Sequence, residues 1–201
     1  MPGTQRQLKK EQTREKILAA ALEQFAALGL TKASTAGIAQ VAGVSHGAVF
    51  AHFATLEQLQ QAAIEEFGRQ VSTRLHELVT DGQGLRQVLA AHLQALQEHE
   101  QFYARLVMEG RLLAKDTRYV LIGIQSVMAH HIGQAAQRAM EEGRIRTMPM
   151  HLLFNTWVGL VHHYLVNDDL YAPGESVLHR YGQQLLDYYL GLLQQTSVPK
   201  A

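Results

Sequence analysis

The segment Gly43-Val44-Ser45-His46-Gly47 places a serine between two glycines with a histidine beside it. That pattern, G-x-S-x-G, is the nucleophile elbow of serine hydrolases, where a sharp turn lifts the hydroxyl above a parallel sheet. Such chemistry needs a buried strand entering the turn and a base that approaches from elsewhere in the fold. The preceding residues, Ile38-Ala39-Gln40-Val41-Ala42-Gly43, are too short and alanine-rich for that strand, and His46 follows Ser45 directly. The same letters suit another task. Gly43 lets the chain turn tightly, and Ser45 can cap a short helix by accepting from the amide of Gly47 or Ala48.

Eleven histidines raise the question of a metal site. Ligands on one helix converge on an ion when they stand three or four residues apart. His92 and His99 are seven apart, and the adjacent pairs His130-His131 and His162-His163 diverge by about 100° on a helix. There is no H-E-x-x-H, and the absence of cysteine excludes disulfides and thiolate ligands. The residues therefore support no catalytic set, no metal set and no cofactor motif. An all-helical metal-binding protein or enzyme using the body histidines stays open as the alternative.

The chain has 201 residues, 47% of them apolar and 18% charged, the profile of a globular protein with a sizeable core. No apolar run reaches the roughly 18 residues of a membrane span, and the polar N-terminus MPGTQRQLKKEQTREK is unlike a signal peptide. A cytoplasmic protein is the expectation. Net charge is zero, but residues 1–56 hold six bases (Arg6, Lys9, Lys10, Arg14, Lys16, Lys32) against three acids (Glu11, Glu15, Glu23). That sign suits a nucleic-acid partner for the N-terminal part.

Apolar spacing predicts an all-α fold of about nine helices. From Glu11 to Leu28 the residues Ile17, Leu18, Ala21, Leu22, Phe25 and Leu28 form a helical stripe, and Gly29 stops it at a left-handed C-terminal position. Ser34 or Thr35 caps a short second helix, Ala42-Gly43-Val44 is the turn, and Ser45 caps a third helix to about Phe53. Ile38, Val41, Val44 and Val49 are expected to pack these helices on each other and on the first. Thr55 caps a long fourth helix with the stripe Leu56, Leu59, Ala63, Phe67, Val71, Leu75 and Leu78. Further helices are expected near 85–98, 101–114, 117–142, 149–168 and 175–195. The reading is a helix-turn-helix head over 1–54, with 1–10 as a flexible arm, and a helical ligand-binding and dimerisation body over 55–201.

Two short helices joined by a tight glycine turn form a DNA-binding unit, with the start of the second helix facing base edges. Residues 13–60 resemble the N-terminal domain of TetR-type transcriptional regulators. The motifs are Thr13-Arg14-Glu15-Lys16-Ile17-Leu18-Ala19-Ala20-Ala21, Phe25-Ala26-Ala27-Leu28-Gly29, Ile38-Ala39-Gln40-Val41-Ala42-Gly43-Val44-Ser45, and Phe50-Ala51-His52-Phe53 with Glu57 and Leu59. The resemblance implies a homodimeric regulator, most often a repressor, released from a palindromic operator by a small-molecule inducer. Thr35, Ser45, His46, Gly47, Ala48, Phe50 and His52 would face DNA, with Lys9 and Lys10 as arm contacts.

The departures from the family pattern fall on polar groups. Phe50 stands where the family usually has a phosphate-binding tyrosine, Leu56 where it has a lysine, and Ala36 and Gly37 where it has an arginine and a glutamate. Arg6, Lys9, Lys10 and Lys32 are the bases that could compensate. Beyond residue 60 only length and helix pattern match. There the resemblance implies an inducer site, for which Phe67, Tyr103, Met108, Ile124, Met128, His131 and Trp157 offer an amphipathic lining for a flat or aromatic, largely neutral ligand. The final helices would form a four-helix dimer interface through Leu160, Tyr164, Leu178, Tyr181, Leu185 and Tyr188, with Gly159 and Gly182 allowing close approach.

Overall fold

The computed structural model describes residues 4–80 and 82–194. They form ten α-helices: α1 (Gln5–Leu28), α2 (Thr35–Ala42), α3 (His46–His52), α4 (Leu56–Leu78), α5 (Leu85–Gln97), α6 (Glu100–Glu109), α7 (Lys115–Glu141), α8 (Met150–Val166), α9 (Asp168–Tyr171) and α10 (Val177–Leu193). A single 3-10 turn spans Gly110–Leu112, and no strand occurs among the described residues. The helix beyond the expected count is α9, one turn between α8 and α10.

Two compact units emerge, one from residues 1–70 and 101–123, the other from 71–100 and 124–201. In the first, α1 packs on α2 and α2 on α3. Ile17, Ala21, Phe25, Leu30, Ile38, Val49, Leu59, Ile64, Phe67 and Leu106 are fully buried. Each large side chain among them contributes about 1.5–3 kcal/mol through lost water contact.

Several expectations change here. α1 begins six residues early, because the Thr4 backbone N–H donates to Gln7 Oε1 at 2.9 Å and starts the helix. Lys9 and Lys10 therefore ride on α1, not on a flexible arm; residues 1–3 lie outside the described residues. Leu28 is 48% exposed because Leu30, beyond the glycine, turns into the core in its place. Val41 is 44% exposed, lying beside the Ile38-Ala39 stripe that α2 buries. Gly29 has φ 93 and ψ 156, a mirror-extended conformation and not the left-handed helical one.

In the second unit α5 packs on α10 and α10 on α8. Gly182 belongs to this internal packing, since a Cβ there would stand 3.6 Å from Leu93 Cδ1. Trp157 and Tyr189 meet with ring centroids 5.1 Å apart, and the Tyr189 hydroxyl donates to Leu153 O. Glu100 receives the start of α10, accepting from Ser176 Oγ at 2.5 Å and from the Val177 and Leu178 amides at 2.7 and 3.1 Å. A carboxylate at exposed helix amides satisfies donors that have no partner within the helix.

His92 is fully enclosed in this core. Trp157 Nε1–H donates to His92 Nδ1 at 3.1 Å, which puts the proton of the neutral ring on Nε2, 3.0 Å from Met128 Sδ. Burial, with His162 nearby, pushes His92 down to about 4, and burial pushes His162 down to about 4. The unfolded chain protonates both near 6.5 while the fold keeps them neutral, so stability rises with pH between about 4 and 6.5 and is flat above. Thermal unfolding should show Tm falling on acidification through this window, with a His92 contribution of order 3 kcal/mol at its acid end. His92→Gln, which keeps an acceptor for Trp157, should flatten the slope; an unchanged slope would mean His92 is not the titrating group.

Candidate nucleic-acid interface

The α2–α3 pair is built from caps. Ser34 Oγ accepts from Gly37 N at 3.2 Å and opens α2. Gly43 closes it at φ 65 and ψ 34, the left-handed conformation that glycine adopts without steric cost. Ser45 Oγ then accepts from Ala48 N at 3.2 Å and opens α3. The hydroxyl of the G-x-S-x-G pattern is thus committed to a helix end.

Caps set where α3 starts; its buried residues set how it is rotated. Val49 is fully buried and Phe53 nearly so, which turns Ser45, His46, Gly47 and Phe50 outward. Ala48 and His52 are half-buried. Phe50 is 45% exposed, and the His46 ring meets it edge-on with centroids 4.9 Å apart. His46 Nε2 shares a 2.9 Å hydrogen bond with Thr35 Oγ1, tying the first turn of α3 to the first turn of α2. A Cβ at Gly47 would meet nothing within 4 Å, so the surface there is open.

Positive charge reaches the other end of α3 from α1. The half-buried His52 ring is held below the ordinary histidine range by burial, then by Lys10, then by Arg14. A ring shifted this way favours its neutral form at pH 7. The Arg14 guanidinium lies 5.2 Å from the Phe53 ring centroid, a cation–π position. Arg14 sits in the family-like opening motif, but only the fold brings it to α3. Thr55 Oγ1 accepts from Gln58 N at 3.1 Å and caps α4, leaving Leu56 half-buried where a phosphate-binding lysine could have stood.

The expected ligand-lining residues fall into two groups. In the first unit Phe67 is fully buried and stacks on Tyr103 at 5.5 Å, while Met108 is 43% exposed. In the second, Trp157 and Met128 are buried, and Ile124 and His131 are half-buried. His76 meets His131 edge-on at 5.3 Å, and burial and then His76 and His130 hold His131 below its usual range. Among the described residues no group of three or more His, Asp or Glu could hold a metal ion.

Of the expected interface residues, Leu178 and Leu185 are buried within their own unit. Leu160, Tyr164 and Tyr181 are half-buried, and Tyr188 is 62% exposed. Leu152 on α8 and Leu192 on α10, outside the expected set, are 51% and 46% exposed.

Residues 17–67 match the family model described as bacterial regulatory proteins, tetR family. The HTH-type transcriptional regulator SrpR of Pseudomonas putida is 28% identical over 159 residues, covering 75% of this chain and 70% of that protein. Among solved structures, the TetR family regulator PfmR from Thermus thermophilus aligns with a TM-score of 0.71 at 17% identity, over 87% of this chain and 97% of that one. FadR from Bacillus subtilis in complex with stearoyl-CoA gives 0.73 at 17% identity, over 88% and 97%. The capped helix-turn-helix thus lies in the segment that matches the tetR-family model, and the chain as a whole shares the all-helical fold of solved TetR-family regulators.

Proposed function

We propose that the chain is a cytoplasmic, homodimeric repressor that binds a palindromic operator through its head, over 1–54, and releases it when a small molecule occupies the body, over 55–201. The observation carrying this reading is α3 itself: buried behind by Val49 and Phe53, open in front at His46, Gly47 and Phe50, and flanked by Lys10 and Arg14. His46 is assigned to base or phosphate contact, and Lys9 and Lys10 to phosphates that the missing tyrosine would otherwise hold. Ser45 acts as a cap and no catalysis is assigned. No described helix is long and apolar enough to cross a membrane.

A short helix reads few bases, so specificity calls for two half-sites and a two-fold dimer. The surface for that contact is the exposed stripe of α8 and α10: Leu152, Gly159, Tyr188 and Leu192, edged by Leu160, Tyr164 and Tyr181. A Cβ at Gly159 would meet nothing within 4 Å, so a partner helix can approach closely there. The inducer is assigned to the apolar groups around Phe67 and Tyr103 and around Met128 and Trp157. A neighbour of the same fold is in complex with stearoyl-CoA and another is a ketosteroid transcriptional regulator, which supports an apolar ligand. By linkage, DNA must weaken ligand binding by the factor that ligand weakens DNA binding.

With an operator selected from random duplexes by the purified protein, His46→Ala should cost about 1–3 kcal/mol of affinity, roughly five- to 150-fold. Ser45→Gly should lose only a few tenths of a kcal/mol of stability, against about 1 kcal/mol for Ser45→Ala; equal losses would refute the cap. Replacing Lys9 and Lys10 by Gln should lower the slope of log affinity against log salt by about 0.9 per lost phosphate contact. An unchanged slope would remove Lys9 and Lys10 from the interface. Tyr188→Asp should convert dimer to monomer in light scattering, whereas a dimer that persists would place the interface elsewhere.

A further inference from the structure

The connection between α1 and α2 is gripped by two residues of α6. Gly29 ends α1, and a side chain there would overlap Glu109 Oε1, so the carboxylate occupies the place of the missing Cβ. Glu109 Oε2 accepts from the Thr31 amide at 2.8 Å and from Thr31 Oγ1 at 2.7 Å. Four residues earlier, Arg105 directs Nε at Ala26 O and Nη2 at Ala27 O, each 3.4 Å away. α1 has no basic residue in its own last turn, so Arg105 supplies the positive charge its carbonyls favour. Arg105 and Glu109 stand at i and i+4 on one face of α6, with charges matched in sign to the groups they meet. From α4, Gln60 Nε2 donates to Leu30 O at 2.8 Å and holds the same connection. Phe102 and Tyr103, earlier on α6, pack on Phe67 of α4 with centroids 5.3 and 5.5 Å apart.

We propose that Arg105 and Glu109 are positioning residues forming a latch through which α6 sets the end of α1, and with it the α2–α3 reading unit. The packing of Phe67 against Phe102 and Tyr103 sets α6, so a change at that aromatic cluster reaches the head through the latch. Each of these bonds joins a charged side chain to a neutral backbone or hydroxyl group and is sensitive to distance and direction, the property a relay needs. Gly29 is required twice: for its backbone angles and for the room its missing side chain leaves to Glu109. The latch rests on the DNA-binding reading of the head and on no particular ligand.

The test is a double-mutant cycle on the full chain, read by affinity for the selected operator fragment and by hydrogen exchange of Thr31 and of α2–α3 peptides. Phe67→Ala should weaken operator binding at least tenfold in the wild-type background but less than twofold in Glu109→Ala, because the relay is already broken. Glu109→Ala and Gly29→Ala should each speed exchange at Thr31 and in α2–α3, while Glu109→Gln, which keeps an acceptor oxygen, should recover most of the affinity. Effects of Phe67 and Glu109 that multiply independently would overturn the latch, as would unchanged exchange in Glu109→Ala. If Glu109→Ala does not fold, the same cycle is run with Thr31→Val. Failure of the wild type to select any DNA would overturn the functional reading alone; the latch would then stand or fall on whether Phe67→Ala alters exchange at Thr31.

Discussion

The head depends on one backbone conformation, the left-handed turn at Gly43. A residue with a Cβ would pay roughly 1–2 kcal/mol to hold it. The turn lets the Val44 amide bond back to Ala39 O at 3.0 Å, so α2 ends cleanly and the chain emerges at Ser45 in extended geometry, ready to cap. Two residues thus fix the separation of the helices, while Val49 and Phe53 fix the rotation of α3. His46 and Phe50 point outward as a consequence, and the His46–Thr35 bond holds the α3 N-terminus against α2.

At positions where the resemblance leads one to expect polar groups this chain carries Phe50 and Leu56, and the candidate interface holds other groups nearby. Phe50 keeps the aromatic ring without its hydroxyl and uses it to hold His46 edge-on. Positive charge arrives from α1, whose early start carries Lys9 and Lys10 as part of a continuous helix. A charge on a helix is better positioned than one on a loose arm, because less of its freedom is lost on binding.

Local features were legible in the sequence and distant ones were not. Caps, the turn and the stripe of α4 follow from spacing, since Ser34, Ser45 and Thr55 act within three residues of themselves. The start of α1 escaped because it hangs on a Thr4–Gln7 contact in a polar segment with no apolar period. Gly29 was legible as a stop, but its real constraint comes from Glu109, about eighty residues away, which no local pattern reveals. Among the apolar residues of α8 and α10 periodicity marked both faces. It could not tell Leu178 and Leu185, consumed inside the unit, from Leu152 and Leu192, left outside. His92 also escaped, because its meaning lies in Trp157 and Met128, on two other helices.

The most direct test of the central claim, that α3 reads DNA as part of a two-fold dimer, is to select binding sites from random duplexes and map protection on the enriched sequence. An inverted repeat should emerge, with half-sites about one helical turn, or a whole number of turns, apart and protection on one face of the duplex. Enrichment of a single unrepeated site, or retention no better than on unselected duplex, would contradict it.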